Sequence, residues 1–387
     1  MQFLILGAGY AGVRTALGLD VLLPKTSPAQ VTLVDQNPYH QIIQILHKTA
    51  TNGVAPADTI VDLEHIFYHR RVKLVQGHIS SLDPLKQCVT LADGSTLTYD
   101  RLVVALGART HYSGVPGAAE HTFPLHAYTE AVRLRDHIRA CFVQAAQISD
   151  PVEQRILLTF TIVGGGYTGC PFAGELAEWV DELARETGAP RKEVRIALLD
   201  RHETLLSQFK EWATREAARV LDERGVSVYL HTPVERVEPR ALYVSDNRMI
   251  RTATIIWAGG IHAPPFLEAA GLPIDEMGRV KVDRYLRVAN QGAIFALGDC
   301  AHITDSGGAL VPSAASYAMR QGEHLAQALV DAYEGRAPRS YDPLHLGELV
   351  SLGHDHAVGN PLGMPISGQA VLLLKKGIES WYRSTLE

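Results

Sequence analysis

Short, unbroken apolar runs recur along the chain, and each closes on glycine or on an acid. "QFLIL" (2–6) and "LLTFTIV" (157–163) run into glycine, while "QVTLVD" ends at Asp35 and "EVRIALLD" at Asp200. None shows the polar alternation of a half-solvated strand. Each therefore predicts a strand buried on both faces of a parallel sheet. "RLVVALGA", "TATIIWAGG" and "GAIFALGDCA" read the same way. A helix is expected through "AGELAEWVDELAR". "QCVTLADGSTLT", turned at Asp93-Gly94, predicts a hairpin, and "ALYVSDNRMIRT" a similar one.

The glycines after "QFLIL" and after "LLTFTIV" carry chemistry. Gly7, Gly9 and Gly12 form G-x-G-x-x-G between a strand and a helix. The first glycine permits a tight turn, the second lets a pyrophosphate approach the backbone, and the third lets the helix pack on the strand. The helix N-terminus then presents free N–H groups to phosphate. Asp35 stands roughly twenty residues further on, where a ribose-binding carboxylate is expected. Gly164, Gly166 and Gly169 repeat the fingerprint, and Asp200 repeats the acid. Two complete units predict an α/β fold with two Rossmann-like dinucleotide-binding domains and a small C-terminal cap or interface segment.

Composition narrows the setting. The apolar share is 46% and the charged share 20%, as in an ordinary globular protein. A net charge of -6 argues against a nucleic-acid partner. No run is long enough to span a bilayer, and the first residues lack the basic lead and cleavage site of a secretion signal. Cys88, Cys141, Cys170 and Cys300 are scattered, so neither a disulfide framework nor a cysteine zinc site is indicated, and a cytoplasmic setting is expected. His65 with His69, and His354 with His356, lack a second cluster at ligand spacing, so no metal is expected.

Fingerprint, "ALGA", second fingerprint, "WAGG" and "ALGDCA", in that order, resemble the two-dinucleotide-binding flavoproteins of the pyridine nucleotide-disulfide reductase superfamily. Within it the chain is most similar to the type II NADH dehydrogenases, through "NPYHQIIQILHKTAT", "GVPGAAEHTFPLHAYTEAVRLRDHI" and "GGGYTGCPFAGEL". The resemblance implies FAD at Gly7, Gly9, Tyr10, Ala11, Gly12, Asp35, Ala105, Gly107, Gly298, Asp299, Pro312 and Ser313. It implies NADH, with NADPH as an alternative, at Gly164, Gly166, Tyr167, Thr168, Asp200 and Gly259. Asp299 would meet the flavin ribityl chain, and the helix starting near Pro312 and Ser313 would lend positive partial charge. The Asp200 carboxylate favours NADH over NADPH, although Arg201 could reach the extra phosphate. Hydride would pass from NADH to the flavin and on to a quinone or another small acceptor.

Two departures bear on that acceptor. Pro171 stands where the group usually has glutamate, with Glu175 one helical turn on. "ASYAMRQG" (315–322) stands where the quinone enzymes carry A-Q-x-A-x-Q-Q-G, so Ser316 and Arg320 replace glutamines while Gln321 remains. Arginine donates hydrogen bonds but accepts none, which favours an anionic or strongly polar acceptor. Glu175, Tyr317, Arg320 and Cys170 are the acceptor-side candidates. The alternatives are a soluble flavoenzyme acting on a specialised metabolite or redox partner protein, and a dinucleotide sensor without turnover. No cysteine pair at short spacing follows the first turn, so disulfide reduction is not expected.

The order of motifs predicts a discontinuous FAD domain of residues 1–108 with 259–328, an NAD(P)H domain of residues 109–258, and a C-terminal segment of residues 329–387 entered through a linker, "EGRAPRSYDP". In the tail, Val371, Leu374, Ile378, Trp381 and Tyr382 are expected on one helical face, with Lys375, Lys376, Glu379 and Arg383 elsewhere. Such a helix suits a membrane surface, a dimer contact or closure of the flavin domain. A homodimer, cytoplasmic or peripheral on the cytoplasmic face of the membrane, is expected.

Overall fold

The computed structural model describes residues 1–386 and divides into two compact units. The first comprises Met1–Gln41, Ile60–Arg109 and Ile261–Leu344. The second comprises Ile42–Thr59, Thr110–Gly260 and the chain from His345 onward.

Five parallel strands form the centre of the first unit, in the order Ile294–Ala296, Arg101–Val104, Gln2–Leu6, Gln30–Asp35, Val72–Gln76. Phe3 to Leu6 and Leu102 to Val104 are buried, as unbroken apolar runs require. The helix Tyr10–Leu22 packs closely on the helix Ala315–Tyr333. A Cβ at Gly322 would collide with the Ala11 carbonyl, and one at Gly18 with the Ala326 methyl. The hairpin predicted at Asp93-Gly94 joins Cys88–Leu91 to Thr96–Thr98, with Ile79–Asp83 as a third antiparallel strand. Gly94 takes a φ of 85°, and Asp93 Oδ1 accepts the Ser95 N–H at 2.9 Å.

The second unit repeats the plan. Its parallel strands run in the order Phe123–Pro124, Thr254–Trp257, Thr159–Val163, Arg195–Leu199, Val226–Tyr229. The helix Gly169–Thr187 buries Phe172, Leu176, Trp179, Val180 and Leu183 in the core and stops at Gly188, in the left-handed conformation that closes helices. The second predicted hairpin appears as Ala241–Val244 paired with Arg248–Arg251. No helix or strand forms across the predicted linker from Glu334 to Pro343.

The C-terminal helix, Gln369–Ser384, differs from its expected amphipathic pattern. The predicted apolar face is split: Val371 and Tyr382 point inward with Leu372, whereas Leu374, Ile378 and Trp381 are exposed together with Leu373. Lys375 and Glu379 turn inward and pair with each other. Lys48, from the short helix Leu46–Ala50, reaches the same Glu379 at 3.4 Å. The physical reason lies far away in sequence. A cation already buried at Lys48 needs a counter-charge, and that selects which face of the helix turns in. The three strands Leu349–Ser351, Ala357–Gly359 and Ile366–Ser367 seat the helix, and the Leu352 backbone lies where a Cβ at Gly174 would stand.

Glu379→Leu should lower the stability of the second unit by about 3 kcal/mol, because Lys48 and Lys375 would lose the carboxylate with which both pair. Urea unfolding should show an earlier midpoint, and adding Lys375→Met should recover part of the loss.

Candidate functional site

The first glycine turn is built by close backbone approach. Gly7 takes a φ of 100°, open only to glycine, and a Cβ there would collide with the Ala105 carbonyl. A Cβ at Gly12 would collide with the Gly7 carbonyl, whereas nothing approaches Gly9. The helix begins at Tyr10, and no side chain caps it, so its first-turn N–H groups lack intrahelical partners beside that open space. Asp35 braces the turn. Its Oδ2 accepts the Ala8 N–H at 2.6 Å and its Oδ1 the Asn37 N–H at 2.8 Å. Burial nevertheless pushes the carboxyl up from the usual range. His40 completes the brace: its Nδ1 lies 2.8 Å from the Ala8 carbonyl, and Tyr10 meets its ring edge-on. Fully buried, this imidazole is pushed down to about 4.

The second turn is nearly superposable in logic. Gly164 has a φ of 106° and faces the Ala258 carbonyl as Gly7 faces Ala105. Gly169 abuts the Gly164 carbonyl, and Gly166 is open. Asp200 Oδ2 accepts the Gly165 N–H at 2.5 Å. Its Oδ1 accepts both the His202 N–H at 2.8 Å and the His202 ring Nδ1–H at 2.7 Å. Thr168 precedes the helix without a side-chain cap, and Tyr167 is partly exposed against Phe209. Gly259 lies tight against the Trp257 indole, whose N–H donates to the His111 carbonyl at 2.8 Å. Cys170 and Pro171 open the helix for structural reasons. The Cys170 thiol donates to the Gly165 carbonyl at 3.2 Å, and burial pushes its pKa far up. Pro171 sits in the first turn, where its missing N–H leaves no bond unmade.

A third element belongs to the first unit. Gly298, at φ 74°, donates its N–H to Gln321 Oε1 at 2.8 Å, and Gln321 is buried. Gly298, Asp299, Pro312, Ser313 and Gln321 line one concavity, and the helix behind it starts at Ala315 without a side-chain cap. Four predicted residues thus meet at one place. Ala105 is buried under the first turn, and Gly107 is open at φ 63°. Cys300 is buried with its thiol directed to the Leu297 and Val104 carbonyls and pushed up to about 12, so it is no exposed nucleophile.

The acceptor-side candidates divide between the units. Tyr317 and Arg320 share a helix in the first, with Tyr317 buried and the guanidinium carbon 5.1 Å from its ring centroid. Arg320 Nε donates to the Ser316 carbonyl at 2.9 Å, while both terminal nitrogens are buried without a hydrogen-bond partner. Glu175 lies in the second unit, 6% exposed, its Oε1 likewise without a partner. Burial, and then Glu178, push its carboxyl up against the pull of Lys48, His354 and Lys375. His47 lies 3.3 Å from the Ser351 hydroxyl and is pushed well down by burial, with Lys375 and Lys48 adding to it. His354 and Asp355 do gather with Glu178, but Arg224 pairs with both carboxylates and supplies the positive charge there.

His40, His202 and Gln321 brace these sites and were not among the expected residues. His40 lies in a segment already notable for family likeness, and Gln321 in the "RQG" end of its helix. His202 follows Asp200 at the spacing by which Asn37 follows Asp35, and that parallel was readable.

Known proteins resemble this chain in sequence and in fold. The sequence pattern described as pyridine nucleotide-disulphide oxidoreductase matches residues 1–322. The type II NADH:quinone oxidoreductases of Staphylococcus haemolyticus and Staphylococcus aureus are each 28% identical over 383 residues, covering 98% of this chain and 94% of theirs. Among solved structures, NDH2 from Plasmodium falciparum in complex with NADH superposes with a TM-score of 0.86 at 15% identity, covering 95% of this chain and 91% of that one. The sulfide:quinone oxidoreductase of Aquifex aeolicus gives 0.81 at 17% identity over 100% and 91%.

The buried imidazoles make stability depend on pH with a definite sign. His40 and His47 titrate lower when folded than the ordinary 6.5, so their contribution is complete above about pH 6.5 and is lost below it, for His40 as pH falls toward 4. His40 should remove about 2 kcal/mol by pH 5, and His47 acts in the same direction. Glu175 acts in the opposite sense, because its raised carboxyl favours the folded state at low pH. The clean measurement is therefore the urea midpoint at pH 7.5 and pH 5 in wild type, His40→Gln and His47→Gln, with each variant showing the smaller loss.

Proposed function

Because the chain belongs to the pyridine nucleotide-disulphide oxidoreductase family, we propose that it oxidises NADH through bound FAD and delivers the electrons to a quinone or another small acceptor. The observation that carries this reading is the duplicated turn: two glycine cradles, each with an open second glycine, an uncapped helix N-terminus and a bracing acid. The type II NADH:quinone oxidoreductases among its relatives support the assignment of donor and acceptor.

The residues present fit both dinucleotides. A pyrophosphate would enter beside Gly9 and Gly166, where no atom stands in the way of a Cβ, and meet the N–H groups of Tyr10, Ala11 and Gly12 or of Thr168 and Gly169. Asp35 and Asp200 would hold the adenosine riboses, Asp299 the ribityl chain, and the helix start after Pro312 and Ser313 would face the flavin ring. When bound, FAD would supply the hydride acceptor and electron store that the protein's own side chains lack. The chain's part is to hold two ligands, and hydride transfer itself asks no side chain for a proton.

On the acceptor side, Arg320 decides the chemistry. Its two terminal nitrogens carry unmet donors, and an acceptor bearing anionic or strongly polar oxygens would satisfy them. Ser316 is too short to substitute for glutamine at a quinone carbonyl. This observation also keeps open a second reading, a soluble flavoenzyme for a polar metabolite. The exposed stripe Leu373, Leu374, Ile378 and Trp381, with Lys376 beside it, suits peripheral contact with a membrane surface. No helix among the described residues is long and apolar enough to cross a membrane.

The purified protein should be yellow with non-covalent FAD. Gly9→Ala should lose flavin while keeping the melting temperature of the flavin-free protein, whereas Gly12→Ala should lose flavin and lower that temperature too, since only the latter methyl has no room. Protein that stays colourless when FAD is added would sink the reading. NADH should bleach the flavin readily, while ubiquinone and menaquinone analogues should be turned over slowly. Ser316→Gln with Arg320→Gln should then raise quinone turnover. Fast wild-type turnover that is lost in the double variant would show a quinone pocket built on Arg320 itself.

A further inference from the structure

We propose that Arg320 and Tyr341 together form a carboxylate-binding site, so that the acceptor is a quinone carrying a carboxylate on its ring system. The proposal names the acceptor class of the function proposed above and rests on that reading.

The guanidinium sets the geometry. Arg320 Nε donates to the Ser316 carbonyl at 2.9 Å, which closes the side-on approach that uses Nε and one terminal nitrogen. The end-on edge remains. Both of its nitrogens are buried without a hydrogen-bond partner, so no carboxylate among the described residues pairs with them. A buried guanidinium needs a counter-charge as well as acceptors, and a carboxylate supplies both in one plane. The carbonyl of a neutral quinone supplies acceptors alone.

A second donor stands beside the first. Tyr341 is 9% exposed, and its hydroxyl is likewise buried with no partner. Burial raises its pKa against the pull of Arg320 and Gln321, so both side chains lie near the phenol. The phenol keeps its proton and can donate it to an anion. The walls are aromatic and suit a planar ligand. The Arg320 guanidinium carbon lies 5.1 Å from the Tyr317 ring centroid, and the Tyr341 ring meets the His324 imidazole edge-on at 5.3 Å. All of these residues belong to the first unit. Neighbouring acids do not compete: Glu323 meets Arg14 at 3.7 Å, Asp331 pairs with Arg336, and Asp342 is exposed.

The segment that carries Tyr341 controls access. It forms neither helix nor strand, and the bonds that hold it include Tyr341 N–H to the Arg284 carbonyl at 2.7 Å. The Arg339 carbonyl accepts from His324 Nε2 at 3.1 Å. Releasing these neutral bonds costs less than a doubly held carboxylate gains. The carboxylate is a handle and is not itself reduced. NADH gives a hydride and water a proton, so two electrons and two hydrogens reach the quinone as two new O–H bonds.

Calorimetry on the oxidised holoprotein with anthraquinone-2-carboxylate and its methyl ester reads the site without turnover. Steady-state kinetics with 1,4-naphthoquinone-2-carboxylate and its methyl ester read it in the reaction. In wild type the acid should be preferred about 100-fold over the ester, in Kd and through KM rather than kcat. Arg320→Gln should bring that ratio near one. Arg320→Lys should keep about a tenth of it, having the charge without the fork. Tyr341→Phe should weaken the acid about fivefold and leave the ester unchanged. Equal affinity for acid and ester in wild type, or an acid preference that survives Arg320→Gln, would overturn the proposal even where NADH bleaches the flavin. Wild-type protein whose flavin NADH does not bleach would overturn the reading beneath it, and this proposal too.

Discussion

Everything at the two sites depends on a carbonyl oxygen with no room beside it. Gly7 and Gly164 turn sharply, and Gly12 and Gly169 come to rest against their carbonyls. That approach brings the following helix down onto its strand and fixes where its N-terminus begins. It also sets the open space at Gly9 and Gly166, the reach of Asp35 and Asp200, and the orientation of the free N–H groups. A single added methyl would displace the helix, at a cost of about 1–3 kcal/mol for overpacking, and would move the donors away from their target.

The chain spends stability elsewhere in a way that ordinary packing does not require. Arg320 and Glu175 both keep buried polar atoms without partners. A buried unsatisfied group costs about 1–3 kcal/mol, more when charged. Such groups persist where something outside the fold satisfies them. On the function proposed above, Arg320 has the simpler account, an acceptor whose oxygens would meet its donors. Glu175 sits instead near Lys48, Lys375, His354 and Glu178, where a carboxyl able to change charge alters the balance of the whole cluster.

The strands, glycine turns, acids and hairpins were legible because each is specified within a few residues. An unbroken apolar run, a G-x-G-x-x-G and an acid at a strand end carry their own geometry. The grouping of Gly298 and Asp299 with Pro312 and Ser313 was legible only through family likeness. What escaped was set by partners distant in sequence. Periodicity turned the C-terminal helix by its leucines, whereas Lys48 turned it by Glu379. His40 gave no sign of its burial, because the Ala8 carbonyl it serves lies in the preceding turn. The placement of residues 42–59 with the second unit has no local signature either, since its leucine and alanine contacts are to helices over a hundred positions on in some cases.

The pairing of Lys48 with Glu379 spans 331 positions. At about 5–20 residues per second, a ribosome takes on the order of tens of seconds to deliver the second partner after the first. The first unit waits more than half as long, because Ile294–Ala296 must arrive to cover the edge of Arg101–Val104. During that interval a buried-type apolar strand stands with an unpaired edge, the kind of surface that recruits other nascent chains. Neither half can therefore be finished as it emerges. A nascent polypeptide in that state is open to association with its neighbours, so its yield should suffer more from crowded, fast synthesis than from heat applied once it is complete.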